Sequence, residues 1–184
     1  MSRSFSRSAA NVAAVPASRR STDPIERGRE NLVDHKIPKP DLAMCMTSII
    51  RVRQIVEGRV EEALAPFELN FMDYHALTTL HLSHDGSRPI GRVAWGLMAH
   101  PATITSVIDR LAKRGLVERT RHPTDRRLRL AAITEKGRNV AHDAMNAVVA
   151  ADWGLAGVAR SDMRALTELL TSIRRAAGDI PEGE

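Results

Sequence analysis

The stretch from Ile90 to Thr120, IGRVAWGLMAHPATITSVIDRLAKRGLVERT, constrains the fold more than any other part of the chain. Val93, Ala94 and Leu97 recur at helical spacing over about one turn, and Pro101 then opens a second run in which Ile104, Val107, Ile108 and Leu111 share one face. Proline suits the first helical position, where its missing N–H would be unpaired anyway, and Gly115 suits the left-handed residue that ends such a helix. Helices this short cannot bury an apolar face alone. The spacing predicts a helix-turn-helix.

Two strand-like segments follow, Leu116 to Thr120 and Leu128 to Ile133, with a turn at HPTDR between them. They predict a β-hairpin whose tip is crowded with charge: Arg121, His122, Arg126, Arg127 and Arg129 surround Asp125. Residues 100–140 carry ten Lys/Arg against four Asp/Glu, whereas the segments 41–99 and 141–184 together carry nine against fourteen. Positive charge gathered on one segment of an otherwise acidic body favours a polyanionic partner. The plain alternative is a solvated charged hairpin.

The rest of the chain reads as helical. Of 184 residues 43% are hydrophobic but only 3% aromatic, so the core must be aliphatic, and the length allows one core. Residues 1–22, rich in Ser, Arg and Ala and free of acids, read as a disordered basic tail. Asp23, Pro24 and Glu26 mark the start of a short helix, and IPKP ends the 23–40 segment. Residues 41–65 carry Leu42, Met46, Ile49, Val52, Val56, Val60 and Leu64 on one stripe, with Met44, Ile50 and Ile55 off it, so this helix has two surfaces to pack against. Asn70 caps a helix from Phe71 to Ser83, Thr134 one to about Ala151, and Ser161 one that carries Met163, Leu166, Leu170 and Ile173. The fold class expected is mainly α, a helix-turn-helix (about 70–134 with its hairpin) flanked by long helices at about 41–65 and 134–177. No apolar run approaches the roughly 18 residues of a membrane helix.

A helix-turn-helix followed directly by a charged hairpin, between long helices, resembles the MarR family of bacterial transcription regulators over residues 41–177. The most specific piece is Asp125, one residue, Arg127, five residues, then Ile133, Thr134 and EKG; TITSVIDRLAKRGLVER is similar to the family's recognition helix and the strand behind it. Two positions depart from the pattern. Met98 stands where the turn between the helices usually has glycine, and His100 where the recognition helix usually has a capping serine.

The resemblance implies a homodimeric, cytoplasmic DNA-binding regulator, in the main a repressor, on a pseudo-palindromic operator, with dimerisation through the first and last helices and the 24–34 segment. The recognition helix would present Pro101, Ala102, Thr103, Thr105, Ser106 and Arg110 to the major groove, where only Arg110 offers a bidentate contact. Arg127 would enter the minor groove, oriented by Asp125, while Arg121, His122, Arg126 and Arg129 serve phosphates. The family also implies a small phenolic or anionic effector, for which Arg51, Arg53, Tyr74 and His75 are the candidate lining.

Two other readings compete. One is a protein-interaction module that does not bind DNA. The other is a redox sensor, because one branch of the family senses hydroperoxides through a cysteine on the first helix beside a tyrosine. Here the sole cysteine, Cys45, sits about one turn early and the sole tyrosine is Tyr74, so a buried, inert thiol is expected. A lone cysteine excludes an intrachain disulfide and fits a reducing compartment. His75, His81 and His84 lack the carboxylate or thiolate that would complete a metal set. No nucleophile elbow, phosphate loop or paired acids point to catalysis, and neither a metal nor a cofactor is expected.

Overall fold

The computed structural model describes residues 21–121 and 128–180. The reading of the N-terminal tail and the placement of His122, Asp125, Arg126 and Arg127 lie outside the described residues. The chain divides within one long helix into two compact units, the first ending at Gln54 and the second beginning at Ile55.

In the first unit, α1 (Pro24–Asp34) starts as its sequence dictates: the Asp23 carboxylate accepts the N–H of Ile25 at 2.9 Å and Pro24 occupies the first turn. Lys36 and Lys39, at φ 56° and 59°, turn the chain through IPKP into α2 (Pro40–Leu64). Arg29 Nε donates to Asp41 at 3.0 Å, and the Met44 side chain lies where a Cβ on Gly28 would touch it. No residue of α1 is buried, and Val33, Ile37, Leu42, Met46, Ile49, Ile50 and Val52 are all exposed.

The second unit holds the core. After Leu64 a 3-10 turn (Ala65–Phe67) leads to α3 (Phe71–His81), whose Asn70 and Asp73 form a reciprocal capping box. Then come β1 (Ser87–Pro89), α4 (Ile90–Gly96), α5 (Pro101–Lys113), β2 (Val117–Arg121), β3 (Arg129–Ile133), α6 (Glu135–Ala150) and α7 (Arg160–Ala176). The sheet is antiparallel in the order β1-β3-β2, with Val117 opposite Ile133 and Arg121 opposite Arg129. Leu64, Leu77, Leu80, Val93, Ile104, Ile108, Leu111 and Val148 are fully buried together, an aliphatic core in which Tyr74 is the one buried aromatic among the described residues.

Three expectations change. The strand β1 was not anticipated, because three residues ending in proline show no alternation; it exists through its pairing with Leu130 to Ala132. The last helix starts at Arg160 behind Ala159, not behind Ser161, whose hydroxyl donates to Asp162 instead. A cap hydrogen bond contributes only about 1 kcal/mol, less than is needed to shift a start already fixed by the turn through Leu155–Val158. Cys45, expected to be buried, is exposed, because the stripe it occupies on α2 has no covering residues in its own unit.

Candidate nucleic-acid interface

The turn between α4 and α5 uses both departures noted above. Met98 adopts φ 48°, the left-handed conformation that favours glycine, and its N–H bonds to the Trp95 carbonyl at 3.1 Å. His100 does the work of the expected serine: its Nδ1 accepts the N–H of Ala102 at 3.2 Å. The geometry is that of a capped helix start, made with less favourable residues.

The buried face of α5 is Ile104, Val107, Ile108 and Leu111, which leaves Pro101, Ala102, Thr103 and Ser106 exposed at its N-terminal end and Thr105 half-buried. The Thr105 hydroxyl donates to the Pro101 carbonyl at 3.0 Å and the Ser106 hydroxyl to the Ala102 carbonyl at 3.1 Å. Each hydroxyl oxygen keeps acceptor capacity beyond the bond it donates.

Arg110 is exposed as expected, but its fork is filled. Nε lies 3.1 and 3.2 Å from the two Asp73 carboxylate oxygens and Nη2 lies 2.6 Å from one of them. The Asp73 side chain is 3% exposed and the Arg110 side chain 46%. Hydrogen bonding to that carboxylate raises the pKa of Arg110 above its ordinary value. The bidentate geometry that suggested base reading is therefore directed at α3. Sequence reasoning missed this pair because the two residues stand 37 positions apart, beyond the reach of any local pattern.

The hairpin is anchored at its base. Thr134 donates to the Gly115 carbonyl at 2.8 Å and accepts the N–H of Gly137, while Lys136 Nζ donates to the Arg114 carbonyl at 3.0 Å. A Cβ on Gly137 would overlap the Leu116 carbonyl, so the EKG segment packs helix α6 directly on the start of β2. Arg119 pairs with Asp109 of α5, tying the outgoing strand to that helix. Arg121 and Arg129 are exposed on paired positions at the tip end of the ladder. A concave surface connects Arg129, Arg119, Thr105 and Pro101, so hairpin and α5 share one face.

Among the effector candidates, Tyr74 is buried and its phenol is held above its ordinary pKa by desolvation. His75 is half-buried, edge-on to Phe71 at 4.3 Å and to Tyr74 at 5.4 Å; burial lowers its pKa, with Glu57 opposing. Arg51 and Arg53 are exposed on the part of α2 that belongs to the first unit. No helix among the described residues is long and apolar enough to cross a membrane.

Comparison with known proteins agrees with this arrangement. The MarR family model matches residues 72–128, from α3 to the hairpin. The Bacillus subtilis HTH-type transcriptional regulator YhbI is 32% identical over 66% of this chain and 73% of its own length. A MarR family transcriptional regulator from Streptomyces coelicolor superposes with a TM-score of 0.71 at 36% identity, covering 78% of this chain and 99% of that one. CouR from Rhodococcus jostii RHA1, solved with p-coumaroyl-CoA bound, gives 0.61 at 33% identity over 72% and 91% of the two chains. A matching family model over the helix-turn-helix and hairpin, and relatives above 30% identity along most of their length, make this chain a member of the MarR family of transcriptional regulators.

Proposed function

We propose that the protein is a homodimeric, ligand-responsive repressor that acts in the cytoplasm on a pseudo-palindromic operator. The observation that carries this reading is the shared face of α5 and the hairpin: small and hydroxyl side chains at the helix N-terminus lie beside exposed arginines on the flanking strands. Pro101, Ala102, Thr103, Thr105 and Ser106 would meet base edges in the major groove. Arg121 and Arg129, with His122 and Arg126, would contact phosphates, and Arg127, positioned by Asp125, would enter the minor groove. Arg110 holds α5 to α3 through Asp73 and is a positioning residue in this scheme.

A pseudo-palindrome requires two copies. The apolar faces of α2 (Leu42, Met46, Ile49, Ile50) and α7 (Leu166, Leu169, Leu170, Ile173) are exposed in the single chain, more apolar surface than a monomer ordinarily leaves open. CouR accommodates an aromatic acyl thioester, which supports a phenolic or anionic effector here, with Tyr74 and His75 in its lining. Such a ligand acts only through unequal affinity for DNA-competent and incompetent conformations.

Selection of bound fragments from the host genome tests the reading: one enriched motif with two-fold symmetry supports it, and enrichment of no motif overturns it. The exposed thiol of Cys45 favours a second reading, in which oxidation controls binding. A Cys45→Ser protein that still releases its operator on peroxide treatment excludes that reading.

A further inference from the structure

We infer that Trp95 is a DNA-contacting residue, packing its indole on the sugar-phosphate backbone beside the groove entered by α5, with Arg88 and Arg92 on the adjoining phosphates. The inference rests on the DNA-binding reading above and assigns to α4 a contact that the recognition helix and hairpin do not provide. A single exposed apolar side chain is ordinary on a protein surface. Trp95 differs in its neighbours. The chain has only two tryptophans, and this one is 77% exposed on a helix of seven residues whose other large apolar side chains, Ile90 and Val93, are buried.

Two concave surfaces meet at the indole. One runs to Arg88 and Arg92, the other along Pro101 at the start of α5 to Arg129 at the tip end of the β2–β3 ladder. Arg92 precedes Trp95 by three positions and so shares its helix face. All three arginines are exposed. A flat apolar ring framed by guanidinium groups matches an occupant that alternates apolar and anionic parts. Deoxyribose and phosphate alternate in that way along a strand: the ring face covers sugar carbons, and the indole N–H donates to a phosphate oxygen. The continuity of the groove with Pro101 places the contact on the strand bordering the α5 site, where the first helix of such a motif crosses the backbone. An acidic protein surface would satisfy the arginines, but it would not need continuity with α5.

Because the contact reads no sequence, it is tested with mixed-sequence duplex DNA at low salt as well as with the selected operator. In a Trp153→Phe protein, Trp95 is the only tryptophan. Its quenching by acrylamide is expected to fall as duplex is added, saturating with the binding curve measured by anisotropy of labelled DNA. Trp95→Ala is expected to bind both duplexes more than about ten-fold more weakly per contact, because it loses the ring-face packing in addition to one hydrogen bond to a charged group, itself about ten-fold. Trp95→Phe, which keeps the ring face and loses the donor, should fall between. The side chain is exposed, so these variants should keep the wild-type melting temperature. Binding with unchanged acrylamide quenching and unchanged Trp95→Ala affinity overturns the inference and leaves the DNA-binding reading standing, with Trp95 then available to a protein partner. Failure of the wild-type protein to bind either duplex overturns both.

Discussion

Asp73, sealed at the first turn of α3, holds Arg110 of α5 by three hydrogen bonds of 2.6–3.2 Å. The pair is asymmetric, because Arg110 can reach water and Asp73 cannot. Removing the arginine leaves a buried carboxylate without its counter-charge, while removing both charges leaves no buried ion. A cycle of Asp73→Asn, Arg110→Met and the double variant is therefore expected to show the Arg110→Met single less stable than the double. The coupling should be about 1–2 kcal/mol, reduced from the fully buried range because one partner is solvated. Single-variant effects that add up to that of the double in urea unfolding would mean that the fork contributes nothing.

The dimer proposal makes a prediction about a residue that the monomer does not need. Leu169 on α7 is 65% exposed, so Leu169→Glu should cost the isolated fold less than about 0.5 kcal/mol. If α7 pairs with a second copy, the same change buries a charge in an apolar contact. Sedimentation at micromolar concentration should then show wild-type dimer and variant monomer, with operator affinity lost in parallel. A Leu169→Glu protein that stays dimeric would remove α7 from the interface.

Two glycines separate crowding from helix propensity. Gly137→Ala forces a methyl into the Leu116 carbonyl at the base of the hairpin and is expected to destabilise by about 1–3 kcal/mol. Gly58, in mid-helix with nothing within 4 Å of a new Cβ, should gain about 0.5–1 kcal/mol on change to Ala. Thermal melts of the two variants should move in opposite directions.

His75 gives a pH dependence of known sign. Burial lowers its pKa in the folded state below the ordinary 6.5, so the unfolded chain binds its proton first on acidification. The associated stability is full above pH 6.5 and is lost as pH falls through the depressed folded value. His75→Gln should therefore show a smaller loss of melting temperature than wild type between roughly pH 8 and pH 5. An identical loss in both proteins would show that His75 is not the responsible group.

What the sequence made legible is what local chemistry decides. Spacing assigns Ile104, Val107, Ile108 and Leu111 to the core, where they are buried, and Asn70 and Thr134 stand at cap positions in the sequence and act as caps. What it hid depends on partners distant in the chain. β1 is a strand only because β3 lies beside it, and Asp73 already has a local partner in the capping box of α3, so nothing near it in sequence points to Arg110. Arg119 reads as one more hairpin charge until the fold places it against Asp109. The exposure of Cys45 and Trp95 likewise follows from which neighbours the fold does not supply, a property that periodicity does not encode.

The central claim is that α5 and the hairpin together read an operator. The most direct measurement is equilibrium titration of the wild-type protein with the selected operator and with a scrambled duplex of equal length and composition, over a range of salt. The account predicts operator binding at least about a thousand-fold tighter than scrambled, with affinity for both falling as salt rises. Arg126→Ala should make the slope of log K against log salt shallower by about 1.8 for the dimer, and Arg127→Ala should reduce the preference for A·T pairs flanking the site. Equal affinity for operator and scrambled duplex at every salt concentration would contradict it.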